Sequence, residues 1–350
     1  MAKAKDKKLR ITVDHNLEEG VLKKISVDAE VQGKNDKGKI DFAALRAGGF
    51  IKQIQRDKFT VRLNCPGGRM TIDKLKTVAE AAEEFGGEFV HFSTRQSLEI
   101  TSVDYHNFQP LIDKLQESGQ KVASCGPRVR VPTACGGCEY NPNGITDTQA
   151  MAEKVTELFF GQRVNHKFKI TFSACPHDCI HSTGADLGFQ GGIYPEWKEE
   201  NCTGCTICSS ACIENAIVSH EDTGKPIFDP EQCLYCDDCV RACPTFAWQR
   251  KTVGHIARIG GHGGRHPVMG TIVAMFLTDD EVYTFIDATI KWYQEAGKDK
   301  GRLRIGNLLL QDGMMDSYMK AMAEAVGSEK LIKNPALPQV IKTNPKGAAV

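Results

Sequence analysis

Hydrophobic and polar positions alternate from Lys58 to Asn64, with Phe59, Val61 and Leu63 on one side and Thr60, Arg62 and Asn64 on the other. That period of two predicts a strand, and Pro66-Gly67-Gly68 ends it. The period lengthens over Ile72–Phe85, where Leu75, Val78, Ala79, Ala82 and Phe85 share one face of a helix stopped by Gly86-Gly87. Glu88 to Ser93 reads as a second strand ending at Thr94-Arg95-Gln96, and His106 to Ser118 as a second helix with Phe108, Leu111, Ile112 and Leu115 inward. The β-α-β-α order predicts an α+β layer of helices on a sheet. A helix over Asp147–Phe160 leads into a third alternation, with Phe168, Ile170 and Phe172 facing one way and Lys167, Lys169 and Thr171 the other. The glycines at 184, 188, 191 and 192 predict a loop. Thr278-x-x-Glu281 is a capping box for a helix to Ala296 that turns Val282, Phe285, Ile286, Ile290 and Tyr293 inward, with Gly297 as its stop. A further helix is expected over Leu308–Val326 and an extended tail from Asn334; residues 1–40 are polar, and the first ten are expected to be disordered.

Two ammonium groups on one strand face repel each other, so Lys167 and Lys169 point to a dianionic ligand rather than to strand stability. The anion site must be local, because 44 basic and 44 acidic residues balance and give no global case for nucleic acid or a membrane surface. Fourteen cysteines are the outlier. The lysine-rich N-terminus has no apolar signal region and no apolar run reaches the length of a membrane span, so the thiols are read as reduced, metal-binding and cytoplasmic, in an anaerobic or protected setting. Cys175-Pro-His-Asp-Cys179 follows the lysine strand directly and suits a metal or cluster, since thiolates are soft ligands and a loop lets sulfurs converge.

The most specific signal is Cys202-x2-Cys205-x2-Cys208-x3-Cys212 followed by Cys233-x2-Cys236-x2-Cys239-x3-Cys243-Pro244. This is the two-cluster bacterial ferredoxin spacing, in which the fourth cysteine of each run serves the other cluster. The expected quartets are Cys202, Cys205, Cys208 and Cys243, and Cys233, Cys236, Cys239 and Cys212. Ile213 stands where proline is usual. A pair of zinc sites is the competing reading, but repeated triplet spacing is not typical of zinc. No G-x-G-x-x-G opens a helix, so a partner must bring the reducing equivalents. Cys65 is expected to be packed rather than a ligand.

Taken together, the chain resembles the siroheme-dependent sulfite and nitrite reductases in their small single-repeat form. The resemblance is carried by Phe59-Thr-Val-Arg62-Leu-Asn-Cys-Pro-Gly-Gly68, Phe92-Ser-Thr-Arg95-Gln96, Cys125-Gly-Pro-Arg-Val-Arg130, His166-Lys167-Phe-Lys169, Cys175-Pro-His-Asp-Cys179 and Gly260-Gly-His-Gly-Gly-Arg265-His-Pro267. It implies that Arg62, Arg130, Lys167 and Lys169 surround the substrate anion on the open face of a siroheme. It further implies that Arg95 and Arg265 hold the macrocycle's carboxylates, and that Cys179 joins a cubane to the siroheme iron. That cubane would be held by Cys135, Cys138, Cys175 and Cys179; the family usually has C-x5-C where Cys135-x2-Cys138 stands, and Cys125 is the nearest substitute. His255, His262 and His266 are alternative haem ligands, although family precedent favours backbone approach by the neighbouring glycines.

The implied fold is α+β: a sulfite-reductase-type core of mixed sheets with helices plus a small inserted 2[4Fe-4S] ferredoxin-like domain. The implied segments are a polar N-terminal stretch 1–40, an α+β half 41–124, a catalytic core 125–197 and 250–333, the insert 198–249, and a tail 334–350. The implied activity is six-electron reduction of sulfite to sulfide with siroheme and three [4Fe-4S] clusters, electrons arriving from an external donor protein or a flavin or Fe–S subunit. Nitrite reduction to ammonia on the same cations is the rival, and a non-catalytic electron-transfer subunit is the reading from another class. Long family members divide the anion-binding residues and the cluster cysteines between two tandem copies of the core. This chain holds both sets in one copy, so a two-fold homodimer with a shared site is expected.

Overall fold

The computed structural model describes residues 42–341, and the expectation for residues 1–40 lies outside them. The chain divides into two compact units after Arg130.

In the first unit a short helix α1 (Phe42–Ala47) leads into β1 (Phe50–Lys52) and β2 (Lys58–Arg62), followed by α2 (Ile72–Phe85), β3 (Val90–Phe92), β4 (Leu98–Asp104) and α3 (Phe108–Gln116). The strands form an antiparallel sheet in the order β1-β2-β4-β3. The alternation read in β2 is realised, with Phe59 and Val61 fully buried. Phe59 meets Phe108 edge-on at 4.9 Å between centroids, a geometry that adds about 0.5–1.5 kcal/mol beyond area burial. α3 buries the four residues expected of it. α2 does not: its buried face is Thr77, Val78, Ala81 and Ala82, while Leu75 is exposed. The inward stripe is therefore rotated toward the small residues, which let the helix lie close to the sheet.

The second unit holds β5 (Thr133–Ala134), α4 (Gly137–Tyr140), α5 (Thr148–Phe159), β6 (Ile170–Ser173) and β7 (Leu187–Trp197). Next come α6 (Ile207–Ala211), β8 (Ile217–Ser219), β9 (Pro226–Phe228), α7 (Asp238–Ala242) and β10 (Trp248–Ile259). The chain closes with β11 (Val268–Met269), β12 (Thr271–Leu277), α8 (Asp279–Ala296), α9 (Ile305–Leu309), α10 (Met314–Val326) and β13 (Gln339–Val340). The main sheet has the order β12-β10-β7-β6-β5, parallel from β5 to β7 and antiparallel from β7 to β12.

Three expectations are corrected here. The glycines at 188, 191 and 192 do not mark a loop but lie in β7. A Cβ on Gly188 would stand 2.1 Å from the Ser182 carbonyl oxygen, and one on Gly191 would stand 2.2 Å from that of Ala174, so these positions admit neighbouring backbone. The lysine strand begins only at Ile170, and all four β6 residues are buried, as suits an interior parallel strand covered on both faces. The single C-terminal helix is two, α9 and α10, separated by Gly313 at φ 69°. The capping box is present, with Thr278 accepting from the Glu281 N–H and the Thr278 N–H donating to the Glu281 carboxylate at 2.7 Å.

Residues between β7 and β10 gather around Cys208, Ile217, Cys239 and Trp248, a small core with Trp197 and Phe228 packed against it. No helix among the described residues is long and apolar enough to cross a membrane.

Candidate functional site

β5 and β6 run parallel with Ala134 opposite Phe172, so their C-terminal ends, and with them Cys135 and Cys175, come out side by side. The Cys135 N–H donates to the Phe172 carbonyl at 3.1 Å, and the Ala174 N–H donates to Cys135 Sγ at 3.2 Å. The Cys135 carbonyl accepts from Thr148 Oγ1 and Gln149 Nε2, each at 2.8 Å, which ties it to the start of α5. Cys138 lies in α4; a Cβ on Gly144 would meet its backbone at 2.7 Å, so the 141–145 loop closes tightly over it. Cys179 is exposed in a turn where Asp178, at φ 46°, accepts from the Ser182 N–H at 2.8 Å and the Thr183 N–H at 3.3 Å. Burial pushes the Cys175 thiol up from its ordinary value, and neighbouring Cys135 and Cys179 add to the rise. A cation among these sulfurs would reverse that, as iron does for cluster thiolates.

Lys167 and Lys169 stand immediately before β6. Lys169 is held by its backbone on both sides: its N–H donates to Asp186 Oδ2 at 2.9 Å and its carbonyl accepts from the Leu187 N–H at 3.1 Å. Asp186 is fully buried and receives Arg304 in a two-pronged ion pair, Nε at 2.8 Å and a terminal nitrogen at 2.6 Å. Nothing in the sequence pattern singles out Asp186 or Arg304, because a carboxylate and a guanidinium 118 positions apart carry no spacing signal. Next to Lys167, His166 accepts the Lys167 N–H on Nδ1 at 2.7 Å; burial, then Arg304, Arg302 and Lys167, bring its pKa down to about 4.

In the first unit Arg62 ends β2. Its guanidinium is committed to buried Glu99, Nε to Oε1 at 2.6 Å, while His91 Nδ1 sits 2.8 Å from the other carboxylate oxygen. Arg130 is buried and donates to the Ser124 carbonyl at 3.4 Å and the Gly126 carbonyl at 3.1 Å; its buried Nε has no hydrogen-bond partner. Cys125 lies between the two, with Arg62 NH1 at 3.9 Å from its sulfur. Burial alone would raise the Cys125 thiol, but Arg130, Arg62 and the Gly126 N–H outweigh it and hold the thiol below its ordinary value. Cys65 is packed in the core of this unit, as expected. Arg95 is half-buried beyond β3, and Arg265 is exposed after Gly264.

The glycine-rich segment from Gly260 splits in two. A Cβ on Gly261 would meet the Thr183 carbonyl oxygen at 2.1 Å, whereas Gly263 and Gly264 face open space. Of the neighbouring histidines, His255 is buried and bonded to Asp279 at 2.8 Å, His262 is bonded to Asn307 at 3.2 Å, and His266 is exposed.

Two cavities lie between β7 and β10. One is lined by Cys202, Cys205, Cys208 and Cys243 together with Trp197 and Trp248. The other is lined by Cys212, Cys233, Cys236 and Cys239 together with Ile193, Pro195 and Tyr235. The cysteines lining each cavity are the four that the spacing grouped. Burial pushes Cys239 up to about 12 and Cys236 up to about 11, with neighbouring thiols adding to both. A strong positive charge beside them would be needed to make such sulfurs thiolates, and four cysteines to a cavity are the donor type and number that an iron–sulfur centre takes. The Tyr235 N–H donates to Cys233 Sγ at 3.3 Å, the kind of bond that tunes a cluster.

Known proteins resemble this chain in sequence and in fold. The family model for the nitrite and sulphite reductase 4Fe-4S domain matches residues 125–332, and that for the nitrite/sulfite reductase ferredoxin-like half domain matches residues 51–118. The chain is similar to the coenzyme F420-dependent sulfite reductase of Methanocaldococcus jannaschii, 27% identical over 83% of this chain, but it spans only 46% of that protein's length. It is also similar to an anaerobic sulfite reductase subunit of Salmonella typhimurium, 26% identical over 74% of this chain and 82% of the relative. The crystal structure of dissimilatory sulfite reductase I shares the fold, with a TM-score of 0.63 at 18% identity over 76% of this chain and 69% of that one. The chain belongs to the family of nitrite and sulphite reductases defined by this 4Fe-4S domain.

Proposed function

We propose that the protein is a siroheme-dependent sulfite reductase that adds six electrons to sulfite and releases sulfide. The observation that carries this reading is β6: Lys167 and Lys169 stand just before its first residue, Ile170, and Cys175 stands just beyond its last, Ser173. One buried strand of four residues therefore separates anion-binding cations from sulfur donors. The sulfite and nitrite reductase relatives support the same reading.

Cys135, Cys138, Cys175 and Cys179 would hold one [4Fe-4S] cluster, with Cys179 shared with the siroheme iron, and the two quartets between β7 and β10 would hold two more. Siroheme and its linked cluster supply the electron chemistry at sulfur. The chain's own residues supply the rest. Sulfite is largely a dianion near neutral pH, and stripping it of water requires several fixed cations. Lys167, Lys169 and Arg130 provide charge, and a lysine ammonium also donates protons as oxygen leaves as water. Arg62, partly neutralised by Glu99, is fixed in direction and orients the anion more than it attracts it. Arg95 and Arg265 would take the macrocycle's carboxylates. Electrons come from an external donor protein or from a flavin or Fe–S subunit.

Steady-state turnover with sulfite and with nitrite under one artificial donor tests the substrate: the reading requires the higher kcat/KM for sulfite, and a preference for nitrite would reassign the enzyme. We also place the site across a two-fold dimer. The heterodimer isolated from a mixture of Cys179→Ser and Lys169→Ala chains then has about half the native activity, since one site takes both defects and the other none; a heterodimer that stays inactive puts the site within one chain.

A further inference from the structure

We infer that the three cysteine quartets are strung in a fixed order along β7, with Cys212, Cys233, Cys236 and Cys239 in the middle, and that Arg241 is the bracket holding this middle quartet against the core one. The inference rests on the iron–sulfur reading of the quartets given above.

β7 acts as the ruler. At Gly191 the strand touches Ala174, the neighbour of Cys175, so closely that a Cβ would lie 2.2 Å from its carbonyl oxygen. Two residues on, the Ile193 N–H donates to the carbonyl of Tyr235, between Cys233 and Cys236, at 3.0 Å. Ile193 and Pro195 line the cavity of that quartet. At the far end of the strand, Trp197 lines the cavity of Cys202, Cys205, Cys208 and Cys243. With a rise of about 3.4 Å per residue, Ile193 lies about 7 Å from Gly191 along the strand and Trp197 about 20 Å. The tyrosine contacts repeat the order: Tyr235 stacks on Tyr194 of β7 at 6.1 Å and meets Phe276 of β12 edge-on at 5.2 Å.

Arg241 supplies an independent observation. It projects from α7, between Cys239 and Cys243, and leaves its own segment to donate to the Pro142 carbonyl at 2.9 Å and Asn143 Oδ1 at 2.6 Å. That loop follows Cys138. On its own helix Arg241 pairs with Asp238, whose other oxygen lies 3.3 Å from Cys236 Sγ. The arm carrying Cys202 and Cys205 instead bonds within its own segment: Ser209 to Ser219 at 2.7 Å, and Lys225 to Glu199 at 2.6 Å.

Cys202, Cys205, Cys208 and Cys243, with Cys205 exposed, would then hold the centre that takes single electrons from an external donor protein. Cys212, Cys233, Cys236 and Cys239 would hold the centre between it and the core, each electron passing with no bond made or broken. Arg241, a cation shared by two sulfur sites, raises the tendency of the core site to accept it.

The test is electron paramagnetic resonance on the fully reduced, frozen holoprotein. Cys236→Ser, which disables the middle quartet, is expected to remove the dipolar broadening of the core signal; Cys205→Ser is expected to leave that broadening in place. The reverse pattern overturns the order. Should Cys236→Ser fail to fold, Arg241→Ala decides, because it touches no sulfur ligand. Its iron content is expected to stay native while the fraction of core site reduced at a fixed ambient potential falls several-fold, a change a merely structural contact would not produce. An unchanged potential with unchanged broadening overturns the bracket. A chain with twelve cluster irons and no siroheme would remove the reductase reading while leaving the order to stand or fall on the broadening.

Discussion

Lys169 owes its place to two buried residues. Asp186 accepts its N–H, and Arg304 neutralises Asp186. Removing one partner of a buried pair leaves an uncompensated charge and typically costs about 3–5 kcal/mol. Arg304→Met should therefore lower the denaturation free energy by that order, read from the urea midpoint. Lys169→Ala should instead leave stability and siroheme content intact while turnover falls at least tenfold, since one charge-assisted contact contributes about 1.5–3 kcal/mol. Unchanged kinetics would make the ammonium a bystander, and loss of siroheme would move it to cofactor binding. His166 gives a pH signature. Its folded pKa of about 4 reflects burial and then Arg304, Arg302 and Lys167, against the opposing pull of Asp186. An unfolded histidine titrates near 6.5, so between these values the unfolded chain binds the extra proton, and stability is lost as pH falls from about 6.5 toward 4. His166→Gln should flatten the fall in Tm between pH 7 and pH 5; a slope identical to the native protein's would contradict the assignment.

At the scale of elements, glycines decide where sulfurs go. Gly204, at φ 71°, lies against the Thr223 carbonyl so closely that a Cβ would stand 2.3 Å from its oxygen. Gly204→Ala strains the loop between Cys202 and Cys205 and should cost the protein about four of twelve cluster irons, with the remaining eight retained. Iron analysis returning the native value would contradict this. The same glycines explain what could and could not be read from the chain. α8 was legible because its capping box and inward stripe are local, and β2 because one face is buried and the other is not. β7 and the start of β6 were not: strands buried on both faces lose their alternation, and the close approaches at Gly188 and Gly191 look like turns in sequence. The paired spacing of the cysteines was legible because cluster geometry is written in short intervals. Asp186, Arg304 and Arg241 act across long ones and were invisible.

Over the whole molecule the chemistry is divided: Arg62, Arg95 and Arg130 belong to the first unit, the two lysines and the twelve grouped cysteines to the second. Three quartets imply about twelve cluster irons, and siroheme adds about one more per chain. Total iron of about eight or fewer on fully loaded protein would remove one quartet; if the missing centre were the siroheme-linked one, Cys135-x2-Cys138 would be too short to replace the usual pair. Cys179→Ser should abolish sulfide formation while the two quartets between β7 and β10 keep their iron. The most direct measurement is the absorption spectrum of the anaerobically purified chain before and after sulfite is added. The account predicts a siroheme band with red-region absorption that shifts on sulfite binding. Broad iron–sulfur absorption alone, unmoved by sulfite, would contradict it and make the chain an electron carrier.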